Sequence, residues 1–441
     1  MKILIVTSEF PPDFGGGIGR YCGELALAFR AQGCVIKALK GSAFVHGGEP
    51  YEYNGISAST LEAERFHNWF NRFGHFSMFP ELRRHLAAAF ALHEQAGEGN
   101  GFDAVEVTDW GMLFLPWVIQ SQAQVLVQLH GSTGQIARHE PADGRAVEGA
   151  FALLLERTAL AAALRLSSYS HANVRWWQTV LNRPVEYLPP PLALKAAEFD
   201  EHIRADKWLS VARIQEWKGP QVACAAWKLL GDGAPRLDWI GRDTRQAATG
   251  ESMDVSLRRN FPGVWGRMIQ PMGQIFPHEV QQRMRAAKVV LVPSTWDVFN
   301  LAAAEAMALG KIVVISDGAG AVDLVRHGVN GFVFPNNDAA ALAKLVRRVD
   351  RLDPEEICEI GQRAAATVRE RLDPERIAAE KLRLYGELPK PSAAQISWLR
   401  KCLLPDRETN ALTFLGSLPL KELTAYVARR GFKKFFHQET R

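Results

Sequence analysis

The sequence predicts an α/β protein with two domains, each built on a parallel β-sheet. Short β-branched or apolar runs alternate with amphipathic helical stretches, and the alternation begins again after the prolines at 189–191. Strands that alternate with helices form parallel sheets whose two faces are covered by helices. The chain has 441 residues and 47% hydrophobic content, which is more than one hydrophobic core usually serves.

The first domain opens with a βαβ unit. KILIVT is predicted to be a strand, residues 18–32 place Tyr21, Leu25 and Phe29 on one helical face, and VIKALK returns as a strand. Further strands are predicted in FDAVEVTD, VLVQLHG and VEYLPPPL, and a second series in WLSVARI, RLDWIGR, KVVLVPS, KIVVIS and GFVFPN.

We therefore expect two Rossmann-like domains that face each other across a cleft. Their predicted boundaries are 1–192 and 193–370, followed by a helix at 371–388 that returns to the first domain and a basic helical tail at 389–441. In open α/β sheets, ligands bind at the carboxyl ends of the strands, so the site should lie between the domains.

Composition and charge argue against several classes of protein. The net charge is +4, and the residues from 391 onward carry nine Lys and Arg against four Asp and Glu, so the rest of the chain is nearly neutral. A neutral body argues against a nucleic-acid partner. The five cysteines lack CxxC pairs and zinc-ligand spacing, which favours reduced thiols over a metal site. No apolar run reaches the roughly 20 residues of a membrane-spanning helix, so a cytoplasmic protein is expected.

Three glycines follow the first predicted strand in PPDFGGGIGRY. Without Cβ atoms, Gly15, Gly16 and Gly17 allow a sharp turn and let backbone N–H groups approach an anion at the start of the next helix. An ordinary strand-to-helix turn is the alternative. A dinucleotide fingerprint is rejected, because Arg20 stands at its third glycine and the next strand ends in lysine instead of the ribose-binding acid.

Two cations follow a predicted strand in SVARIQEWKGP. Arg213 and Lys218 lie five residues apart across a turn, where both could reach one phosphate group. Solvated surface charges are the alternative interpretation.

Two carboxylates lie in PSTWDVFNLAAAEAMALGKIVVIS. Asp297 is predicted in a loop after a buried strand, and Glu305 on the first turns of the next helix. An acid near a helix start can also simply balance the helix dipole. Because such a helix start binds anions, the loop is a candidate binding site.

Taken together, these segments resemble the retaining glycosyltransferases of family 4, which share the two-domain GT-B fold. The resemblance covers most of residues 1–388 and includes PPDFGGGIGRY, VLVQLHGS, ARIQEWKG, the segment around Asp297 and Glu305, and VRHGVNGFVFP. It implies transfer of a sugar from a nucleotide-diphosphate sugar to an acceptor hydroxyl, in polysaccharide, glycolipid or glycoconjugate synthesis.

The resemblance also implies roles for individual residues. Gly16 and Gly17 would approach the donor diphosphate, Arg213 and Lys218 would neutralise it, and Glu305 would bind the ribose. The rest of the implied donor site is the sugar contacts His130 and Asp297 and the loop residues Phe299, Asn300 and Leu301. His130 could otherwise be an ordinary core histidine.

Two positions depart from the family pattern. Asp297 stands at the first glutamate of an E-x7-E motif and is one methylene shorter, and Asn300 stands where glycine is common. The chain contains no DxD motif, so we expect neither a metal nor another cofactor. Retention of the anomeric configuration is implied by the resemblance alone.

The acceptor side is less distinct. Glu106 and Asp109 follow or lie in a predicted strand and could bind hydroxyls of a saccharide or lipid-linked acceptor, although a turn-stabilising aspartate is equally plausible. Phe66, Trp69 and Phe73 have helical spacing and either pack on the first domain or form an acceptor or membrane face.

The basic tail also has several interpretations. It could be an amphipathic helix on the inner face of an anionic membrane, a helix packed on the body or a partner, or a disordered segment. Two other functions stay open for the whole chain: a catalytically silent nucleotide-sugar-binding partner, and a nucleotide-sugar epimerase of the same fold.

Overall fold

The computed structural model consists of two β-sheets with helices on both faces of each. It describes residues 1–12, 16–120, 123–140, 146–193, 207–246, 249–389, 399–400, 403–404, 421, 424–425 and 428. Gly15 and nearly all of the basic tail lie outside the described residues, so the predictions made for them are not addressed by the structure.

The first sheet begins at the amino end of the chain. Its strands are β1 (Lys2–Thr7), β2 (Val35–Lys40), β3 (Tyr51–Tyr53), β4 (Ile56–Thr60), β5 (Ala104–Thr108), β6 (Val125–Leu129), β7 (Arg165–Ser168) and β8 (Glu186–Tyr187). Their order is β3-β4-β2-β1-β5-β6-β7-β8, and only β3 and β4 pair antiparallel. Strand β1 is central, where Ile3 pairs with Ile36 of β2 and Ala104 of β5.

Helices connect these strands. They are α1 (Gly17–Ala31), α2 (Ala63–Arg72), α3 (Pro80–Gln95), α4 (Leu115–Ile119), α5 (Thr133–His139), α6 (Ala146–Ala162) and α7 (His171–Leu181). The face of α1 predicted to be apolar is confirmed, since Tyr21, Leu25 and Phe29 are buried. Phe66, Trp69 and Phe73 are buried as well, which supports the packing alternative for that aromatic segment over a membrane face.

The second sheet repeats the architecture. Its strands are β9 (Trp208–Val211), β10 (Leu237–Ile240), β11 (Ile269–Gly273), β12 (Val289–Val292), β13 (Ile312–Ser316) and β14 (Phe332–Phe334), in the order β11-β10-β9-β12-β13-β14. All its strand pairs are parallel. The helices are α8 (Pro220–Leu230), α9 (Met253–Asn260), α10 (Pro277–Ala286), α11 (Leu301–Ala308), α12 (Ala339–Asp350), α13 (Pro354–Arg371) and α14 (Pro374–Gly386).

Helix α14 packs against α1 of the first half. It carries Tyr385, whose ring contacts Phe29 at a centroid distance of 5.7 Å, and Lys381, whose ammonium lies 2.5 Å from the Glu106 carboxylate of β5. Burying an aromatic side chain of this kind stabilises the fold by about 1.5–3 kcal/mol. The last helix of the described core is thus fixed to the centre of the first sheet.

Candidate active site between the two sheets

The carboxyl ends of the two sheets face each other. A Cβ atom built on Gly17, at the start of α1, would lie 3.6 Å from Leu301 Cδ1 at the start of α11. Gly320, which follows β13, comes so close to the first half that its Cβ would lie 2.7 Å from Ser170 Oγ. The predicted nucleotide-binding loops of both halves therefore meet at one place.

Lys218 lies at this meeting point and is paired with Asp297. The distance between Lys218 Nζ and Asp297 Oδ2 is 2.5 Å, and the two side chains are 16% and 14% exposed. Gly219 makes the approach possible: its φ is +73°, and a Cβ there would lie 1.9 Å from the carbonyl oxygen of Pro293. The Thr295 N–H then donates to the Trp217 carbonyl at 2.8 Å, which joins the two loops.

Arg213 follows β9 and lies among carboxylates of both halves. Its side chain remains exposed to water, yet the surrounding protein lowers its pKa by desolvation. The carboxylates that act electrostatically on the guanidinium come from both halves: Glu140 and Glu9 from the first, and Asp297 from the second. Arg213 and Lys218 therefore share Asp297 as a neighbouring carboxylate, and their joint contact with a phosphate stays a prediction.

The carboxylate of Glu9, which was not predicted to take part in the site, binds the amino end of α1. Glu9 Oε2 accepts hydrogen bonds from the N–H groups of Gly16, at 2.6 Å, and Gly19, at 3.3 Å. These are orphan amides at the positive end of a helix, where an anion is stabilised by about 0.3–1 kcal/mol or more. The amino end of α1 therefore binds a carboxylate, which in this structure is the Glu9 side chain.

The loop from Asp297 to Leu301 is held at both ends. Asp297 N–H donates to Gly318 O at 3.0 Å, and Asp297 O accepts from Gly320 N–H at 2.9 Å. Asn300 adopts the left-handed region (φ +85°) and caps α11 with its side chain. Phe299 is buried, so its side chain packs inside the protein.

Glu305 lies deeper, in the second turn of α11. Its carboxyl is half-buried, and desolvation raises its pKa. Arg20 and Glu24 of α1, which form an ion pair at 2.9 Å, are its charged neighbours. The first half thus supplies a cation close to the residue predicted to bind the ribose.

His130 follows β6 on the first half. Its ring Nδ1 lies 2.5 Å from the Tyr169 hydroxyl, and its backbone N–H donates to Asp109 Oδ1 at 2.7 Å. Burial, reinforced by the charge of Lys381, places the pKa of the imidazole well below its usual value. His130 is therefore neutral, and its ring is held by the Tyr169 hydroxyl.

The two residues predicted to bind an acceptor are not accessible. Glu106 lies in the middle of β5, is 1% exposed, and accepts hydrogen bonds from Lys381 and from the hydroxyls of Tyr21 and Tyr385. Asp109 is fully buried beneath the turn after β6, and burial raises its pKa to about 7. The prediction for these two is corrected: both carboxylates are occupied inside the protein, and Asp109 is the turn-stabilising aspartate.

Another set of side chains lines the same edge of the first sheet. The His85 ring contacts Phe44 at 5.9 Å and Trp110 at 5.7 Å between centroids, and Phe44 is 59% exposed. His85 Nδ1 is buried without a hydrogen-bond partner. Sequence reasoning missed this aromatic edge, although a phenylalanine and a tryptophan that each follow a strand are a usable signal.

An aromatic stack crosses the cleft beside Lys218. Trp296 stacks on His139 of the first half at 4.2 Å and on Trp217 of the second half at 4.5 Å. Next to it, Gln215 Nε2 donates to Glu140 Oε1 at 2.6 Å. The stack closes one side of the cleft, and the pairing of residues so distant in sequence left no local pattern to find.

Across the ranges that the structure describes, no cluster of three or more His, Cys, Asp and Glu side chains is arranged to hold a metal ion. Within those same ranges, no helix combines the length and apolar character needed to cross a membrane.

Comparison with known sequences points to glycosyltransferases. Residues 205–351 match the family model described as glycosyl transferases group 1. The chain is 28% identical over 280 residues to D-inositol 3-phosphate glycosyltransferase of Pseudarthrobacter chlorophenolicus, covering 60% of this chain and 63% of the relative. It is 25% identical over 422 residues to alpha-maltose-1-phosphate synthase of Mycolicibacterium smegmatis, covering 88% of this chain and 100% of that protein. These matches support a transferase, while membership of family 4 stays a prediction.

Comparison with solved structures confirms the predicted GT-B fold. Sucrose-phosphate synthase of Thermosynechococcus elongatus superposes with a TM-score of 0.65 at 21% identity, covering 88% of this chain and 98% of that one. The Anabaena protein HepE in complex with UDP-glucose gives a TM-score of 0.61 at 17% identity, covering 88% and 100%. The likeness concerns the arrangement of the two sheets.

Proposed function

We propose that the chain is a retaining glycosyltransferase that moves a sugar from a nucleotide-diphosphate sugar to an acceptor hydroxyl. The observation that carries the proposal is the convergence of Arg213 and Lys218 with the amino end of α1 in one cleft. Two side-chain cations and a helix amino end suit a pyrophosphate, which carries several negative charges on adjacent groups.

The internal carboxylates support this assignment. Lys218 holds Asp297, and the N–H groups of Gly16 and Gly19 hold Glu9. A carboxylate makes the same charge-assisted hydrogen bonds as a phosphate oxygen, so each contact marks a position where an anion is stable. Donor binding would then be an exchange of anions in which the pyrophosphate replaces the two carboxylates.

The proposed reaction transfers the sugar from the diphosphate to the acceptor. The bond between the anomeric carbon and the diphosphate oxygen breaks, and its electron pair stays on that oxygen. The acceptor oxygen attacks from the same face, and its proton passes to the departing phosphate. Because negative charge grows on the diphosphate as the bond opens, Arg213 and Lys218 stabilise the transition state more than the ground state.

The other residues position the two substrates. His130 would contact the donor sugar as a neutral group, and Glu305 would bind the ribose. For the acceptor, a saccharide or a lipid-linked saccharide, the exposed edge formed by Phe44 and Trp110 is accessible where Glu106 is not. The chain supplies its own cations at the diphosphate, and the proposal uses no metal and no other cofactor.

The test is turnover of nucleotide sugars by the wild type and by Arg213→Ala/Lys218→Ala. UDP-, GDP- and ADP-sugars are incubated with candidate acceptors, and release of the nucleoside diphosphate is measured. Losing one preorganised donor at a developing charge costs about 2.7–4 kcal/mol, so the double variant should lose at least about a thousandfold in rate. The matched control is Lys228→Ala/Arg236→Ala, which removes two exposed cations from the same half away from the cleft.

Three results would contradict the proposal. Intact donors in every combination would favour a silent binding partner, and conversion of the donor sugar without an acceptor would favour an epimerase. Wild-type rates in the double variant would remove both cations from the mechanism. The anomeric configuration of the product, read by NMR, tests retention separately.

A further inference from the structure

We propose that Asn300 is a positioning residue: its side-chain amide holds the Asp297 carboxylate in place for the donor sugar while Lys218 is engaged by the pyrophosphate. The inference rests on the proposed function above and assigns to Asn300 a task distinct from capping a helix.

The two ends of the Asn300 amide have different partners. Its Oδ1 accepts a hydrogen bond from Ala303 N–H at 3.1 Å, and its Nδ2 donates to Asp297 Oδ2 at 3.0 Å. The helix N–H requires an oxygen and the carboxylate requires a donor, so only this orientation of the amide satisfies both. Asn300 therefore joins the start of α11 to the carboxylate of the loop.

The backbone explains why asparagine stands here. Asn300 has φ +85° and ψ +83°, a left-handed conformation that glycine, asparagine and aspartate tolerate best. Glycine would adopt it without offering an amide. Aspartate would adopt it and cap the helix equally well, but it has no N–H to donate. Asparagine combines the conformation, the cap and the donor.

Asp297 Oδ2 accepts hydrogen bonds from two donors, and only Lys218 is also proposed to bind the pyrophosphate. Lys218 Nζ lies 2.5 Å from this oxygen and Asn300 Nδ2 lies 3.0 Å from it. When Lys218 turns to the pyrophosphate, the carboxylate keeps Asn300 as its donor. The backbone of Asp297 is already fixed on both sides by Gly318 and Gly320, so the side-chain torsions are what Asn300 restrains.

The same contact connects the two departures from the family pattern. Asp297 and Asn300 touch each other, so they form one hydrogen-bonded pair instead of two independent changes. A shortened carboxylate with its own amide partner is consistent with a working sugar contact.

The decisive variant is Asn300→Asp, because it separates capping from positioning. It keeps the backbone conformation and the cap, removes the donor, and places a second carboxylate beside Asp297. A hydrogen bond to a charged group corresponds to about 10- to 100-fold, so kcat/KM for the nucleotide sugar should fall by about that factor. Asn300→Gly, which keeps the conformation and adds no charge, should show a similar loss.

Two controls accompany these variants. Asp353→Gly removes the exposed cap of α13, in which Asp353 accepts from Glu356 N–H at 2.9 Å. It should lower the melting temperature as Asn300→Gly does and leave turnover at the wild-type level. The swap Asp297→Asn/Asn300→Asp keeps the charge and an amide–carboxylate pair but moves the carboxylate, and it should stay inactive while folding normally.

Binding without turnover separates this inference from the proposed function. UDP, GDP and ADP are titrated beside UDP-glucose, GDP-mannose and ADP-glucose. Failure of the wild type to bind any nucleoside diphosphate would sink the proposed function. If the wild type binds one, Asn300→Gly should bind that nucleoside diphosphate with similar affinity. It should lose only the difference in affinity between the nucleotide sugar and the nucleoside diphosphate. Three results would overturn the role of Asn300. They are wild-type turnover in Asn300→Asp, recovery of turnover in the swap, and equal affinity of the wild type for the nucleoside diphosphate with and without its sugar.

Discussion

Two lysine–carboxylate pairs in this chain have the same separation and different surroundings. Lys381 and Glu106 lie 2.5 Å apart with side chains that are 1% and 2% exposed, whereas Lys218 and Asp297 lie 2.5 Å apart with side chains 16% and 14% exposed. The first pair is inside the first half of the molecule, and the second lines the cleft.

The difference teaches which ion pair can serve a ligand. Around Glu106, the hydroxyls of Tyr21 and Tyr385 complete the hydrogen bonding, and no water or substrate reaches the carboxylate. Around Asp297, water has access and Arg213 stands nearby with further positive charge. Distance alone does not distinguish a structural pair from an exchangeable one, but accessibility and neighbouring charge do.

The largest expected effect comes from breaking the enclosed pair. Lys381→Met leaves the Glu106 carboxylate buried without its cation, and removing one partner of a buried pair costs about 3–5 kcal/mol. Lys218→Met should cost about 1 kcal/mol or less in stability, because water and Asn300 remain as partners of Asp297. Urea denaturation gives both free energies of unfolding.

The matched control for both is Lys344→Met on α12, where the lysine is exposed. Equal losses of stability in Lys381→Met and Lys218→Met would contradict the comparison, because the two pairs would then contribute equally to the free energy of unfolding.

A further effect, which depends on pH, should arise from Asp109. Its pKa is raised from 3.8 to about 7 by burial, so the folded state holds a proton that the unfolded state has released between these values. The contribution of Asp109 to stability is therefore complete below about pH 4 and is lost as pH rises to about 7, by up to about 1.4 kcal/mol per pH unit.

Asp109→Asn removes that proton uptake. The stability of the wild type relative to this variant should fall steadily between pH 5 and about pH 7, when unfolding is followed in urea at several pH values. Asp232→Asn, at an exposed aspartate, serves as the control and should show no such trend. Parallel curves for the wild type and Asp109→Asn would mean that Asp109 is ionised in the folded protein throughout this range.

The sequence predicted the fold because its signals are local. β-branched runs such as KILIVT favour strands, and they alternate with helical stretches along the chain. The prediction for Arg213 and Lys218 rests on the same kind of signal, since both follow a strand and carboxyl ends of parallel strands share one edge.

The parts that escaped prediction depend on residues far apart in sequence. Lys381 looks like an ordinary surface lysine until the fold brings it against Glu106, 275 positions earlier, and that contact is what removes Glu106 from the acceptor site. Glu9 was overlooked because its role depends on the contacts of its carboxylate with the N–H groups of Gly16 and Gly19, seven and ten positions later. The stack of His139 on Trp296 likewise has no pattern within either segment.

The most direct test of the account is a crystal structure of the chain with the nucleoside diphosphate that it binds. We predict that Lys218 Nζ and the N–H groups of Gly16 and Gly19 contact phosphate oxygens, that Glu9 has turned away, and that Asp297 keeps its hydrogen bond to Asn300. The Lys381–Glu106 pair should be unchanged. A nucleotide bound elsewhere, with Lys218 still on Asp297 and Glu9 still on α1, would contradict the exchange of anions on which the proposed function depends.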